Sequence, residues 1–311
     1  VTSKRRWLAI AGPTGSGKSA LALAAAAALD GEIIGCDSVQ LYRGFDIGAA
    51  KPTAAERASV PHHLVDCLDW HEDCDAARYA LLAREALAAV QARGRLPIVV
   101  GGTGLYLRAL VADAFHDDLP KDEALRGELR AEAAERSYAR LVRLDPARAA
   151  ELHPNDRFRV IRALELCLLL GRPVSEVLEA AGGERRTELG EACHLVVLEP
   201  PRRALHAAIA ARTRQMLEQG LLAEVRGLLE AGVDAACKPM QSIGYKQALA
   251  HLRGALPATD LAAAIDAATR QYAKRQCTWF RKVAADVRLE SWELAQVVAV
   301  LRSRFPGAGA S

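Results

Sequence analysis

Trp7-Leu8-Ala9-Ile10-Ala11-Gly12-Pro13-Thr14-Gly15-Ser16-Gly17-Lys18-Ser19 is the stretch on which the reading of the whole chain turns. Its second part matches G-x-x-x-x-G-K-[ST] at every fixed position, the pattern of a phosphate-binding loop. The apolar run before it predicts a buried strand, and the Ala/Leu-rich residues 18–29 behind it predict a helix. Glycines let such a loop curl so that its N–H groups point inward, and the helix N-terminus adds its positive end. Gly12, Pro13, Thr14, Gly15, Ser16, Gly17, Lys18 and Ser19 are therefore the candidate phosphate-binding residues. Lys18 supplies a point charge, and Ser19 carries the hydroxyl that can hold Mg2+.

Outward from this loop, short apolar runs alternate with helical stretches. Residues 33–36 predict a buried strand, and Thr53 with Glu56 forms a capping-box pattern that starts a helix. Residues 79–93 have helical composition and stop at Gly94; 96–100 form a β-branched run ending at Gly101-Gly102. This rhythm predicts an α/β fold, a P-loop NTPase-like parallel sheet flanked by helices. From residue 119 to 191 the patterns are helical, and 194–198 return to strand character. The expected division is a core of 1–118 and 193–311 around an all-helical insertion domain of 119–192. Within the insertion, 122–136 and 155–170 predict helices, the second closed by Gly171 and Pro173. The last third is expected to be helical over 202–219, 221–231, 241–253 and 259–282, with a strand inside 283–289 and a closing helix over 292–304.

Of 311 residues, 51% are apolar and 25% charged, a composition that excludes disordered and collagen-like chains. No charge-free apolar run is long enough to span a bilayer. Lys4, Arg5 and Arg6 precede an apolar run that enters the loop directly, with no small-residue cleavage site, so a cytoplasmic protein is expected. The seven cysteines are scattered without a CxxC pair, which argues for free thiols and against a zinc site. Charge is uneven: residues 201–311 hold 16 basic and 9 acidic side chains, against a total net charge of +3. A basic C-terminal third is what a polyanion-facing surface or a solvated basic face would show.

The strand at 33–36 ends in Asp37, at the edge of a parallel sheet where ligands bind. Its carboxylate is placed to act as a general base, as a Mg2+ ligand, or simply to end a strand. The strand at 96–100 ends in Gly101-Gly102-Thr103-Gly104, without the Mg2+-binding Asp usual in a P-loop hydrolase or kinase. Adjacent His62 and His63 point opposite ways on a regular element, so at least one is expected to be a structural hydrogen-bonder. Near the C-terminus Arg270, Lys274 and Arg281 share a helical face, with Tyr272 and Trp279 on another. Basic residues interleaved with aromatics suit RNA, and equally an amphipathic helix with Trp279 in the core.

Several blocks together resemble the tRNA dimethylallyltransferase (tRNA isopentenyltransferase) family, bacterial type. They are GPTGSGKS at 12–19, DSVQLYRGFDIGAAKP at 37–52, PHHLVD at 61–66, GGTGLYLRAL at 101–110, NDRFRVIRALE at 155–165, GLLAEV at 220–225, SIGYKQ at 242–247 and TRQYAKRQCTWFR at 269–281. They stand in family order and cover nearly the whole chain. Ala49 departs from the more usual Thr, and the compact bacterial type, without a C-terminal zinc-finger extension, is expected.

The resemblance implies transfer of a dimethylallyl group from dimethylallyl diphosphate to N6 of the adenine immediately 3′ of the anticodon in tRNA. The P-loop is then a diphosphate cradle, and Mg2+ the implied cofactor. Asp37, Thr14, Lys18 and Arg212 are the implied catalytic residues, with Arg214 the alternative to Arg212. Implied tRNA contacts are Asp37, Ser38, Val39 and Gln40, the last as a reader of the adenine edge, and Thr103. A second group is Ile161, Arg162, Ala163, Leu164 and Glu165, with Arg157 and Arg159 nearby. A third is Ser242, Ile243, Gly244, Tyr245, Lys246 and Gln247, followed by Arg270, Lys274, Arg275 and Arg281. The expected partners are the anticodon stem-loop and the prenyl diphosphate, with no membrane and no need for more than a monomer. Competing readings are an adenylate isopentenyltransferase acting on free AMP, a small-metabolite kinase, and a non-catalytic RNA-binding P-loop protein. The glycines at 101–102 and the tRNA-type blocks stand against the kinase; the insertion and the basic third stand against free AMP.

Overall fold

The computed structural model describes residues 6–112, 119–180 and 187–291, with 298, 299, 301 and 303. The expected strand–helix alternation is present. β1 (Trp7–Ala11) leads through the glycine-rich loop into α1 (Lys18–Leu29), and β2 (Gly31–Cys36) follows. Then come α2 (Ala54–Ser59), β3 (His62–His63), α3 (Ala76–Ala92), β4 (Leu96–Gly101) and α4 (Gly104–Val111). The six strands lie in the order β3-β2-β4-β1-β5-β6, where β5 is Cys193–Leu198 and β6 Val287–Leu289, and every pairing is parallel.

Every residue of β1, β2 and β4 is buried, as a sheet covered on both faces requires. Leu21, Ala25 and Leu29 of α1 pack on Leu8, Ile10, Ile98 and Val196, the alternate residues that share one sheet face. Because the strands are parallel, β1, β2 and β4 all end at one edge. The phosphate-binding loop, Asp37 and Gly101-Gly102 therefore emerge side by side.

The chain forms two compact units, 1–111 with 187–311, and 112–186. The second overlaps the span expected for the insertion but begins and ends earlier, at 112 and 186 instead of 119 and 192. The backbone N–H of Thr187 donates to the Val111 carbonyl, where α4 ends, at 3.1 Å. Thr187 then caps α10 (Glu188–Glu191), whose Leu189 carbonyl accepts the Trp7 indole N–H at 2.8 Å. Residues 187–192 thus belong to the sheet unit.

The insertion holds α5 (Glu123–Ala131), α6 (Ala134–Leu144), α7 (Pro146–Glu151), α8 (Arg157–Leu170) and α9 (Val174–Ala180). The helix expected over 122–136 is two: α5 ends at Glu132, whose carboxylate accepts from the Ser137 hydroxyl. Leu129, Leu141, Val160 and Leu164 anchor a separate hydrophobic core. α8 begins behind Asp156, whose side chain accepts from the Arg159 amide, and stops at Gly171 in the left-handed region, φ 66°.

The C-terminal part continues with α11 (Arg202–Glu218), α12 (Leu221–Glu230), α13 (Tyr245–Leu252) and α14 (Ala258–Phe280). α13 starts four residues later than expected, after Gly244 at φ 96°. The helix expected over 292–304 falls mostly on residues outside those described, and the Gly182-Gly183 stretch, whose composition predicts a loop, falls wholly outside them. Among the described residues no helix is long and apolar enough to cross a membrane. All seven cysteines are free thiols. His62 Nδ1 meets the Val60 carbonyl, and His63 Nε2 lies 2.6 Å from buried Glu32, so both histidines serve structure.

Candidate active site

The loop between β1 and α1 has the geometry of an anion cradle. Gly17 takes φ 83° as the N-cap of α1, a conformation that L-residues with side chains rarely adopt. The first-turn amides of a helix have no intrahelical acceptor, so those of Lys18 and Ser19 remain available. Two amides of the loop are already engaged: Ser16 N–H donates to the Pro13 carbonyl at 3.2 Å, and Thr14 N–H to Gln276 Oε1 at 2.9 Å. Ser16 Oγ is buried without a hydrogen-bond partner among the described residues. An unsatisfied buried hydroxyl inside an amide-lined loop marks a place built for an acceptor that the chain does not supply.

A cavity of about 1110 Å³ opens from this loop, and its walls include Thr14, Lys18, Ser19, Asp37 and Arg212. All of its lining residues belong to the sheet unit. Asp37 Oδ1 accepts the amides of Val39 (2.9 Å) and Gln40 (3.3 Å), so the carboxylate is held by the chain that follows it. Oδ2 has no partner among the described residues. Lys18 Nζ reaches the Pro13 carbonyl at 3.3 Å, and burial together with Arg212 lowers its ammonium pKa to about 8, against the pull of Asp37. Burial also lowers the Arg212 pKa, while Asp37 acts in the opposite sense; a guanidinium stays charged throughout. Arg214, the alternative, is exposed and does not line the cavity.

The glycines that end β4 have a steric reason. A Cβ at Gly101 would collide with the Cys36 carbonyl of β2, and one at Gly102 would lie 2.4 Å from Gln276 Nε2. An acidic residue has no room where a P-loop kinase would carry it. Gln276 donates to the Gly102 carbonyl at 2.8 Å while accepting from Thr14, so one buried amide on α14 ties the phosphate loop to the end of β4. Helical pattern left this segment open between RNA contact and an amphipathic helix with Trp279 in the core, and carried no sign of the inward role of Gln276.

Several expected tRNA contacts are placed differently. Ser38, Val39 and Gln40 line the cavity beside Asp37, but Gln40 Nε2 donates to the carbonyls of Ala49 (3.1 Å) and Ala50 (3.0 Å). It braces a turn and is not free to read a base edge with that amide. In the insertion, Ile161, Ala163, Leu164 and Glu165 are buried in the unit's own core. Glu165 accepts from the Asp122 amide and pairs with Arg126 and Arg162, so of this group Arg162 alone keeps partial exposure. Phe158, one turn earlier, is 75% exposed between Arg157 and Arg159.

Of 242–247, Gly244 and Tyr245 are buried; Ser242, Ile243 and Gly244 line the cavity, Lys246 faces solvent, and Gln247 caps the Gly244 amide at 2.9 Å. Lys274, Arg275 and Arg281 are exposed along α14 and at its end, and Arg270 is partly exposed near Asp266. The aromatics turn inward. Trp279 packs on the Gly104 backbone, and Tyr272 lines the cavity beside Thr103 and Asp37, its phenol pushed up to about 12 by burial first and Asp37 second.

No group of three or more His, Cys, Asp or Glu among the described residues is arranged to hold a metal. Ser19 at the phosphate loop and Asp37 at the end of β2 are oxygen donors on the cavity wall. That set suits a hard cation held chiefly by phosphate oxygens and water, as Mg2+ usually is.

Fold and site together define a P-loop α/β group-transfer protein, with a phosphate cradle, two recessed cations and a free carboxylate oxygen on one cavity. The profile of the IPP transferase family matches residues 40–283. The chain belongs to this family and is a prenyl-transferring enzyme. It is 48% identical over 282 residues to the tRNA dimethylallyltransferase of Solibacter usitatus, covering 88% of this chain and 89% of that one. It is 50% identical over 283 residues to that of Anaeromyxobacter sp. strain K, covering 89% and 90%. The crystal structure of the tRNA isopentenylpyrophosphate transferase of Bacillus halodurans superposes with TM-score 0.70 at 35% identity, over 98% of this chain and 96% of that one. A eukaryotic dimethylallyltransferase captured acting on tRNA superposes with TM-score 0.80 at 30% identity, over 96% and 77%.

Proposed function

We propose that the protein transfers the dimethylallyl group of dimethylallyl diphosphate to N6 of the adenine immediately 3′ of the anticodon in tRNA. The observation that carries this reading is the shared cavity: the phosphate loop, Lys18 and Arg212 line the same space as Asp37. A hydrolase or kinase would need the acidic strand end that Cys36 sterically forbids at Gly101.

The chemistry follows from the residues. The diphosphate sits on the loop amides, with Lys18 and Arg212 as counter-charges, and Thr14 faces it from the loop. The adenine enters with N6 toward Asp37 Oδ2. The N6 lone pair attacks C1 of the prenyl group, the C1–O bond breaks, and its electron pair leaves with the diphosphate. Cations and amides that are already in place stabilise the charge that develops there without reorganising. Asp37 takes the proton lost by N6, which offsets the poor nucleophilicity of an amine conjugated to its ring. Mg2+, held by Ser19 and the phosphate oxygens, would supply further neutralisation of the leaving group. The target base must leave its stack to reach this depth. The exposed basic side chains of α14, and Phe158 with Arg159 in the insertion, suit contact with the anticodon stem-loop. The reading makes the protein a cytoplasmic monomer, since one chain builds the whole cavity.

The test is incubation with Mg2+, dimethylallyl diphosphate and unmodified tRNA, then mass analysis of the digested nucleosides, with parallel tubes holding AMP or ATP. The expected product is an adenosine heavier by one dimethylallyl group, from tRNA alone. Product from AMP instead would move the acceptor to a free nucleotide; ATP turnover without product would make the cradle a nucleotide site.

A further inference from the structure

Glu224 stands on the first turn of α12, outside the cavity lining. Its carboxylate collects three consecutive backbone donors from a distant segment. Oε2 accepts from Asp46 (3.2 Å) and Ile47 (2.7 Å), Oε1 accepts from Gly48 (3.3 Å), and the Tyr245 hydroxyl also donates to Oε1. Successive amides converging on one anion form a nest. The anion that fills this one belongs to the chain itself. Gly48 lies so close to Tyr245 that a Cβ there would come within 2.4 Å of the ring, so the turn is seated on the same residue that completes the carboxylate's shell.

The other side of this turn faces the reaction. Asp46, Ile47, Gly48 and Ala49 line the cavity. The Ala49 carbonyl accepts from Arg212 (3.5 Å) and from the Gln40 side-chain amide (3.1 Å), and the Gln40 backbone N–H donates to Asp37 Oδ1. Ala50, which holds the end of the turn, has φ 46°, a conformation that is uncommon for a residue with a side chain and needs outside support.

We propose that Glu224, completed by Tyr245, is a positioning residue for the transfer: it fixes the turn at 46–50 from behind, and the turn's carbonyls hold Arg212 in the diphosphate site and Gln40 beside Asp37. The inference rests on the prenyl-transfer reading for its purpose but on hydrogen bonds of this chain for its mechanism. A carboxylate is required because all of its lone pairs accept. A Gln at 224 would present an NH2 to donors that need an acceptor.

The experiment measures inorganic pyrophosphate binding by calorimetry in wild type, Glu224→Gln, Arg212→Ala and the double variant, with melting temperatures alongside. Glu224→Gln is expected to weaken binding about tenfold, and the double variant to bind no more weakly than Arg212→Ala alone, because the loss runs through Arg212. KM for dimethylallyl diphosphate rises and kcat falls in the same variant. Wild-type affinity in Glu224→Gln, or losses that multiply in the double variant, would overturn the proposal. Tyr245→Phe removes a single donor and keeps the ring, so it serves if Glu224→Gln fails to fold; a weaker but measurable loss is expected, and unchanged affinity overturns the proposal. Pyrophosphate binding needs neither prenyl group nor tRNA. Failure of the wild type to transfer a prenyl group would therefore count against the reaction, and not against the role of Glu224 in the cradle.

Discussion

Lys18 shows what a single position owes to its neighbours. The phosphate-loop pattern announces the residue, but its pKa of about 8 comes from burial and from Arg212, a residue far along the chain. The native state sheds this proton before the unfolded chain does. Lys18 therefore penalises folding below about pH 8, and the penalty is relieved as pH rises from there toward 10.5. Function runs the other way: pyrophosphate affinity is expected to fall as pH rises through about 8, and calorimetry on Lys18→Ala should lack that inflection. Asp37 is the second residue whose chemistry is explicit. Asp37→Ala should lose about 10²–10⁴ in transfer rate while still binding pyrophosphate; near-normal turnover would remove its role as base. Gln40 marks the limit of reading residues singly. Its neighbourhood in sequence pointed to a base reader, and its amide is spent on two carbonyls of a turn that no local pattern connects to it.

α14 divides its labour between two faces. Tyr272 and Gln276, one turn apart, face the cavity and the phosphate loop, with Arg275 at the cavity rim, while Lys274 and Arg270 look away from it. The charge was legible because charge is a property of composition. The inward roles were not, because helical periodicity says which residues share a face and not what that face meets. Replacing Arg270 and Lys274 by Gln should weaken tRNA binding and reduce the slope of log affinity against log salt by roughly one to two. An unchanged slope, measured by filter binding over a salt series, would take the helix out of the interface. β4 illustrates the opposite case. Its Gly101-Gly102 ending was visible at once, and the structure adds the reason: the neighbouring strand's carbonyl leaves no room for a Cβ.

At the scale of the whole molecule, the chain leaves the sheet unit at Val111, builds a helical unit with its own core, and returns at Thr187. Glu165 is central to that second core, with 0% exposure and with Arg126, Arg162 and the Asp122 amide around it. Burial acts to raise its pKa, but the amide and the two guanidiniums outweigh burial and hold it below 4.5. Its contribution to stability is therefore full above about pH 4.5 and is lost as pH falls through the lower folded value. Glu165→Ala should destabilise the helical unit by about 1–3 kcal/mol, because it leaves the Asp122 amide without its acceptor and takes a buried carboxylate from two partly exposed guanidiniums. Thermal unfolding followed by circular dichroism would check it, and a shift under 1 °C would show the network to be dispensable.

The α/β architecture, the phosphate cradle, the carboxylate at the sheet edge and the helical insertion were all legible in the amino-acid order. Each of these is written in local pattern: apolar periodicity, glycine spacing, the residue that ends a strand. Tertiary structure alone decided which of those residues share a cavity and which are spent holding it. Arg212 was separated from Arg214 by burial, and the 161–165 segment was withdrawn into a core. Gln276 and Glu224 acquired their partners, 262 and 176–178 residues away, through packing of helices on the sheet edge. Contacts at that separation depend on how elements dock, and docking is a property of three-dimensional packing that no local window of sequence contains.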